Sequence, residues 1–362
     1  VSSDNMVLHC DRDGMIWAGK WSNKGLFQIN PATQAVQEFS TDVSNPHFVG
    51  FNSVGAITTA LSRRLWLASG MGIREFDPIT GIFSSPEKKV SSCFGSELII
   101  GVVMDTIVKK AWAVLPFPLR VLEMNLATGN CREMEWKNAE GNTLQLPHWR
   151  VVSAIPFRDG ALIAVRGIGI FMVSNKNEAA QQIIKFKDEQ VTAIATDGEK
   201  YLFEKFWGTY RNRTHILENG NWRQVNTPLD EVPWYCIYFD VEDQTFWVGG
   251  VEFLREYQKD FRVKTIVENE AGLKSVDILS LLPDKSHNIW FNTGNGLLMM
   301  WDKAAKRLIR LSEKDGYTRQ VFGWNNPRVR DSYVNLYFAG DEGVEVINTY
   351  IIQKQYAPSQ IY

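Results

Sequence analysis

The sequence has no apolar run long enough to cross a membrane, no excess of one charge and no paired cysteine motif. Its longest apolar stretch, Leu98 to Val103, has the length of a strand rather than of a membrane span. The 39 basic and 41 acidic residues give a formal net charge of −2, which provides no electrostatic field for nucleic acid. We therefore expect no nucleic-acid partner and no membrane-spanning segment within these 362 residues.

Cysteine and histidine are scarce and scattered. The four cysteines have no C-x-x-C spacing, which excludes a zinc knuckle and a thioredoxin-type redox motif. They are interpreted as core thiols, although folding could pair distant ones, and Cys10 and Cys236 both fall in predicted inner strands. The five histidines form no H-x-x-x-H or H-E-x-x-H pair, so the sequence predicts no metal site and no cofactor. Metal ligands from segments distant in sequence would leave no local signature.

What the sequence does contain is a repeated phrase. An apolar strand and an Asp/Gly turn are followed by a strand with a tryptophan, a glycine, and a third apolar strand that ends near Asn-Pro or Asp-Pro. The tryptophans of the clearest copies are Trp17, Trp66, Trp112, Trp247 and Trp290. A period of roughly 45 residues with four strand signals indicates a radial array of sheets, most often a propeller.

Eight copies of the phrase can be counted, so the sequence predicts an all-β fold, a β-propeller of eight four-stranded blades. The inner strands are expected to begin at Val7, Val54, Ile99, Val151, Val191, Tyr235, Ile278 and Val321. Seven blades are expected instead if one terminal unit packs outside the ring or belongs to a neighbouring module. The propeller is assigned to residues 1–349, and residues 350–362 to its last outer strand or to a linker toward a following domain. One helical turn is expected near Asn177 to Gln182.

One face of such a ring carries the second-to-third-strand loops and the connections between blades, and we expect it to bind the ligand. Aromatic and arginine side chains are frequent there, and they suit sugar rings, anionic groups or a protein partner. The candidate ligand-binding residues are Trp21, His148, Trp149, Arg150, Arg166, Trp207, Tyr210, Arg211, Arg213, Trp234 and Tyr235. The alternative is that Trp149, Trp234 and Tyr235 begin inner strands and belong to the core.

No catalytic residue is predicted. The G-x-G pairs that begin at Gly70, Gly167 and Gly294 each lead into another strand, so they indicate hairpin turns rather than a dinucleotide-binding loop. Aspartates such as Asp197 and Asp240 cluster at inner-to-second-strand turns. Their side chains are expected to cap the turn backbone there.

The phrase from Val7 to Pro31, with its Asp-Gly turn, Ile-Trp-Ala-Gly strand and Asn-Pro end, resembles the two-component regulator propeller repeat. The resemblance recurs at Leu65 to Pro78, Phe246 to Gly249 and Ile289 to Leu297. That repeat makes up the sensor region of hybrid two-component systems in gut Bacteroidetes. The resemblance implies a periplasmic sensor of glycan breakdown products, anchored in the membrane. The tail from Tyr356 to Tyr362 is similar to the exit toward an immunoglobulin-like domain.

The sequence and the resemblance together predict a non-enzymatic module that binds an oligosaccharide and signals through the packing between domains. Expected partners are a neighbouring propeller and an immunoglobulin-like domain of the same chain, and a second copy in a homodimer. The parent chain would carry a histidine kinase. Because the sequence begins at Val1 without a leader, we expect it to be a piece of a longer protein. A carbohydrate-active hydrolase or lyase and a purely structural scaffold are the alternatives.

Overall fold

The computed structural model describes most of the chain between Met6 and Tyr356. The described residues are 6–10, 16–20, 26–29, 36–40, 54–61, 64–77, 82–147, 151–187, 189–206, 212–268, 272–312, 315–317, 328–330, 335–340 and 343–356. Within these ranges the structure contains 31 strands and two α-helices.

The strands fall into seven four-stranded blades and one separate three-stranded sheet. The separate sheet contains β1 (Met6–Cys10), β2 (Ile16–Lys20) and β3 (Leu26–Ile29). Blade 1 contains β5 (Val54–Thr59), β6 (Leu65–Ser69), β7 (Gly72–Asp77) and β8 (Ile82–Ser84). Blade 2 contains β9 (Gly101–Asp105), β10 (Lys110–Pro116), β11 (Leu119–Asn125) and β12 (Cys131–Lys137). Blade 3 contains β13 (Val151–Phe157), β14 (Gly160–Val165), β15 (Gly169–Ser174) and β16 (Ala179–Lys185).

The remaining blades follow in chain order. Blade 4 contains β17 (Val191–Thr196), β18 (Tyr201–Phe206), β19 (Arg213–Glu218) and β20 (Asn221–Val225). Blade 5 contains β21 (Trp234–Asp240), β22 (Thr245–Gly250), β23 (Phe253–Gln258) and β24 (Val263–Glu268). Blade 6 contains β25 (Ile278–Pro283), β26 (Ile289–Thr293), β27 (Leu298–Asp302) and β28 (Arg307–Arg310). Blade 7 contains β29 (Arg328–Arg330), β30 (Asn335–Gly340), β31 (Gly343–Asn348) and, as its outer strand, β4 (Val36–Ser40).

The inner strands close a ring. They contact one another in the order β5, β9, β13, β17, β21, β25 and β29, and β29 contacts β5 in turn. Blade 7 is completed by the N-terminal strand β4, which pairs with β31 in antiparallel register from Val36↔Ile347 to Ser40↔Gly343. Blades 2 and 3 are also joined edge to edge, because their outer strands β12 and β16 pair in parallel.

The predicted propeller is confirmed, and the ring has seven blades rather than the eight counted from the repeats. The first phrase supplies β1 to β3, which pair with one another, and its fourth strand completes blade 7 instead. Four predicted starts, Val54, Val151, Val191 and Ile278, coincide with the first residues of inner strands. β21 begins one residue before the predicted Tyr235.

The repeated tryptophan is explained by packing between blades. Four of the five, Trp66, Trp112, Trp247 and Trp290, have described side chains. Each of these four lies in a second strand, is at most 5% exposed, and shares a hydrophobic cluster with residues of the following blade. Trp112 packs with Ile163, Trp247 with Phe291, and Trp66 edge-on against Phe94 at 6.3 Å between ring centres. A large aromatic ring at this position fills the wedge between two twisted sheets.

Two cysteines are paired, which corrects their interpretation as core thiols. Cys93 in α1 (Lys88–Phe94) and Cys131 at the start of β12 form a disulfide. Cys236 is a free, buried thiol. Disulfides persist in oxidising compartments.

Helices occur where the sequence did not predict them. α1 connects blades 1 and 2, and α2 (Thr349–Tyr356) follows β31 and buries Ile352 in the core of blades 6 and 7. Residues 349–356 are therefore not an outer strand of the propeller. The helical turn predicted at Asn177 to Gln182 is wrong, because Ala179–Lys185 pairs with β15 as strand β16. Neither helix has the length or the hydropathy to span a membrane.

Candidate functional site at the ring surface

The two faces of the ring differ in the segments that they carry. We define the upper face as the face with the second-to-third-strand loops and the connections between blades. The lower face carries the inner-to-second-strand and third-to-outer-strand turns. Seven of the eleven predicted ligand-binding residues lie outside the described residues. These are Trp21, His148, Trp149, Arg150, Trp207, Tyr210 and Arg211. The structure places the other four, Arg166, Arg213, Trp234 and Tyr235, along one arc of the upper face over blades 3 to 5.

One arginine of the arc binds the connection between blades 3 and 4, and the other lies on the turn next to it. Arg166 is exposed on the turn after β14, and the next residue, Gly167, donates its amide N–H to the carbonyl of Glu189 at 3.1 Å. Arg213 donates to Glu189 Oε1 at 2.7 Å and lies over the ring of Phe206, 4.7 Å from its centre. Burial opposes the charged form of Glu189, but hydrogen bonds from Arg213 and the Lys187 amide outweigh it, so its pKa lies below its ordinary value.

The arc continues from blade 4 to blade 5 through Asn212. The side-chain amide of Asn212 donates to the Val232 carbonyl at 2.7 Å, and the amide of Trp234 donates to that carbonyl at 2.8 Å. Trp234 is 1% exposed and packs in the core, as the alternative interpretation expected. Tyr235 is half-buried and lies beside the central cavity.

Tyr235 owes its position to a β-bulge. Five inner strands, β5, β13, β17, β21 and β25, shift register between their first and third residues, so that the second residue has no direct partner. A bulge redirects one side chain from the regular alternation of a strand. In β21 the unpaired residue is Tyr235, the largest side chain at this position among the five strands.

Lys205 completes the arc, and the sequence did not single it out. Its ammonium donates to the Trp234 carbonyl and lies 3.8 Å from the centre of the Tyr235 ring. Burial lowers the pKa of Lys205 to about 8, against the opposing effect of Cys236 and Asp277. The only sequence signal was a lysine among the apolar residues of a predicted second strand.

A cavity occupies the centre of the ring beside this arc. Its volume is about 500 Å³, within the range of small-molecule sites. Inner-strand residues line it, including Ile57, Ala154, Ile194, Tyr235 and Leu282. Trp234 and Tyr235 of the arc belong to this wall, whereas Arg166, Lys205 and Arg213 do not line the cavity.

The lower face shows the expected turn chemistry. Asp197 Oδ1 accepts three backbone N–H bonds from residues 199–201, and Asp284 Oδ1 accepts those of residues 286 and 288. Asp240 Oδ1 accepts those of residues 242 and 243 in the same way. The capping role predicted for these aspartates is therefore confirmed. Between blades 5 and 6, Asp240 and Asp243 also approach His287, which the sequence did not predict.

Comparison with known proteins places the fold but not the chemistry. No family model matches the sequence, and no curated protein matches it. Among solved structures, 98% of this chain superposes with a TM-score of 0.71 and 17% identity on the extracellular domain of BT3049 from B. thetaiotaomicron, named as a hybrid two-component system. The chain shares the fold of the matched part of that domain. It spans 46% of the length of that structure.

Other similar structures share the architecture at lower scores. YCF48 bound to a D1 peptide has a TM-score of 0.61 at 10% identity, with 87% of this chain and 96% of that chain covered. The computationally designed Ika8 protein has a TM-score of 0.52 at 12% identity, with 96% and 94% covered. At such identities the likeness concerns the fold alone.

Proposed function

We propose that this chain is a ligand-sensing propeller of a hybrid two-component signalling protein, and that it has no enzymatic activity of its own. The observation that carries the proposal is its likeness, over 98% of its length, to the extracellular domain of BT3049. That domain is about twice as long, which leaves room for a neighbouring propeller and an immunoglobulin-like domain as partners in the same protein. A homodimer is a further expected assembly.

The proposed ligand is an anionic oligosaccharide derived from a glycan, bound on the upper face over blades 3 to 5. Arg166 is exposed there, and Lys205 lies against the ring of Tyr235 at the edge of the cavity. A carboxylate or sulfate would be held by the cations while a sugar ring stacks on an aromatic face. The signal would pass as a change in packing between domains, because a closed ring has few internal degrees of freedom.

The proposed location is the periplasm, as part of a membrane-anchored protein. The Cys93–Cys131 disulfide supports an oxidising compartment. The membrane anchor itself belongs to the proposal and would lie outside the residues described above.

The test is a thermal-shift and calorimetric screen of the purified chain against sulfated, uronate-containing and neutral oligosaccharides. We expect an anionic oligosaccharide to raise the melting temperature, with affinity falling as the pH rises through 8 because Lys205 then loses its proton. R166Q and K205M should each weaken binding about tenfold or more. K176M, which removes an exposed lysine from the lower face, is the matched control and should bind like the wild type.

Three outcomes would contradict the proposal. An absence of binding to every anionic oligosaccharide would contradict the sensor function as stated. Affinities of K205M and R166Q that equal that of the wild type would contradict the proposed site. New reducing ends or unsaturated sugars after incubation would identify the alternative, a hydrolase or a lyase.

A further inference from the structure

Three ligand-type side chains from two blades converge on the lower face. Asp240 is the last residue of β21 and Asp243 lies in the turn that leads to β22 in blade 5, and His287 lies in the turn between β25 and β26 in blade 6. His287 Nδ1 is 3.5 Å from Asp243 Oδ1 and 3.9 Å from Asp240 Oδ2. One ligand atom from each residue lies within 4.8 Å of the other two.

Asp240 presents a buried oxygen with no hydrogen-bond partner to this cluster. The residue is 3% exposed, and its Oδ1 is used by the turn, where it accepts the amides of Glu242 and Asp243. Its Oδ2 is buried, accepts no hydrogen bond, and faces the imidazole. A buried carboxylate oxygen without a partner carries a desolvation cost that a bound cation would remove.

A carboxylate also lies on the other side of the imidazole, just beyond hydrogen-bond distance. Glu242 Oε2 lies 3.6 Å from His287 Nε2, and Arg330 of blade 7 holds Glu242 through a 3.0 Å bond from its guanidinium to Oε1. A carboxylate on one ring nitrogen directs the lone pair of the other nitrogen toward a metal, which is the usual outer arrangement of histidine ligands. Here that other nitrogen is Nδ1, the atom that faces both aspartates.

The second carboxylate oxygen of Asp243 already pairs with a lysine. Lys303 binds Asp243 Oδ2 at 2.5 Å and Glu256 Oε1 at 3.0 Å, so Asp243 Oδ1 alone is directed to the cluster. Ligand atoms at about 2.0–2.1 Å from a tetrahedral Zn²⁺ are roughly 3.3 Å apart, close to the 3.5 Å and 3.9 Å separations that involve His287. An imidazole with two carboxylates favours zinc over calcium or magnesium, which prefer oxygen ligands alone.

We propose that Asp240, Asp243 and His287 bind one Zn²⁺ ion between blades 5 and 6, with Glu242 as the positioning residue for His287. The ion would link the two blades on the face opposite the proposed ligand arc. The inference is independent of the proposed sensor function, because it rests only on these side chains.

The test uses the full chain with its affinity tag removed and its metal stripped by a chelator. Calorimetric titration with ZnCl₂ should give one site that H287Q and D240N weaken at least tenfold and that E242Q weakens about tenfold. Zn²⁺ should also raise the melting temperature of the wild type and leave that of H287Q unchanged. D197N is the matched control. Asp197 caps the equivalent turn in blade 4 and also has a buried, unpartnered Oδ2, but among the described residues it does not belong to a cluster with a histidine.

The proposal fails if the wild type binds no Zn²⁺, if H287Q and D240N bind as tightly as the wild type, or if Ca²⁺ or Mg²⁺ binds more tightly than Zn²⁺. It also fails if D197N loses affinity like D240N. Circular dichroism of the metal-free variants identifies any that do not fold. E242Q, which changes a half-exposed side chain, then provides the decisive comparison.

Discussion

Two glutamates, Glu256 and Glu204, are both completely buried, but the first is negatively charged near neutral pH and the second is uncharged. Glu256 in β23 accepts hydrogen bonds from Thr245, Thr265, Lys264 and Lys303. Burial alone would raise its pKa, but these donors outweigh it and bring the pKa below the ordinary value. The comparison teaches that the donors around a buried acid, rather than its burial, decide whether it keeps its charge.

Glu204 in β18 has no such donors, and both of its carboxylate oxygens lack a hydrogen-bond partner. Burial raises its pKa to about 8, with Arg213 as the main opposing charge. Burial also lowers the pKa of the neighbouring His215 to about 4, assisted by the charge of Arg213. Near neutral pH the pair is therefore an uncharged carboxyl and an uncharged imidazole, with Oε1 3.3 Å from Nδ1.

Removing the charge of Glu256 should have the largest effect. E256Q leaves Lys264 and Lys303 beside a neutral amide, so we expect a loss of about 2–4 kcal/mol in the free energy of unfolding at pH 7. Chemical denaturation measures it. The matched control is E75Q in blade 1. Glu75 lies opposite Trp66 as Glu256 lies opposite Trp247, but it pairs with a half-exposed Arg64, so the loss there should be below about 1 kcal/mol. Equal losses in the two variants would contradict the comparison.

Replacing Glu204 should change the pH dependence more than the stability. At pH 5, close to the ordinary pKa of 4.5, the amide of E204Q stands in for the protonated carboxyl, so the expected change there is within about 1 kcal/mol. Folded Glu204 has a pKa of about 8 against an ordinary value of 4.5, so its contribution is fully present below pH 4.5 and is lost as the pH rises through 8. The stability of the wild type relative to E204Q should therefore fall between pH 5 and pH 8.

Urea denaturation of both proteins at pH 5, 6.5 and 8 measures this difference. His215 has the opposite sign, because its pKa is about 4 when folded against an ordinary 6.5, so its contribution is present above pH 6.5 and lost as the pH falls through 4. H215Q should accordingly flatten the acidic side of the profile only. Parallel profiles for the wild type and E204Q would show that Glu204 is charged in the folded protein.

The smallest effect should come from removing one donor to Glu256. T265V deletes a hydroxyl that donates to Glu256 Oε2 at 2.8 Å while keeping the shape of the side chain. Because the other donors remain, we expect a loss of about 1 kcal/mol by chemical denaturation. A loss as large as that of E256Q would mean that the network does not share the charge among its donors.

The repeat made the propeller predictable, because packing between blades requires a large side chain at the same point of each second strand. Trp66, Trp112, Trp247 and Trp290 all lie where the phrase placed them. The number of blades was not predictable in the same way. A strand pattern does not say which sheet edge a strand will join, and β4 joins a blade whose other strands lie some 300 residues later.

The site was less predictable than the fold, since its groups meet only after the ring closes. The position of the Tyr235 side chain depends on a β-bulge, and the contacts of Lys205 depend on residues of blade 5. Neither feature leaves a local sequence motif. The Asp240 turn was recognised as a cap, but its approach to His287 joins turns of two different blades. The Cys93–Cys131 disulfide likewise joins a helix that was not predicted to an outer strand.

The pairing of β4 with β31 also has a mechanical consequence. Val36, where the chain enters this pairing, lies opposite Ile347, one residue before the chain leaves β31 for α2. The two ends of the ring are thus side by side on blade 7. Force applied across these two strand ends therefore falls on the five residue pairs that join β4 to β31, and it passes from one strand to the other without crossing the remaining blades.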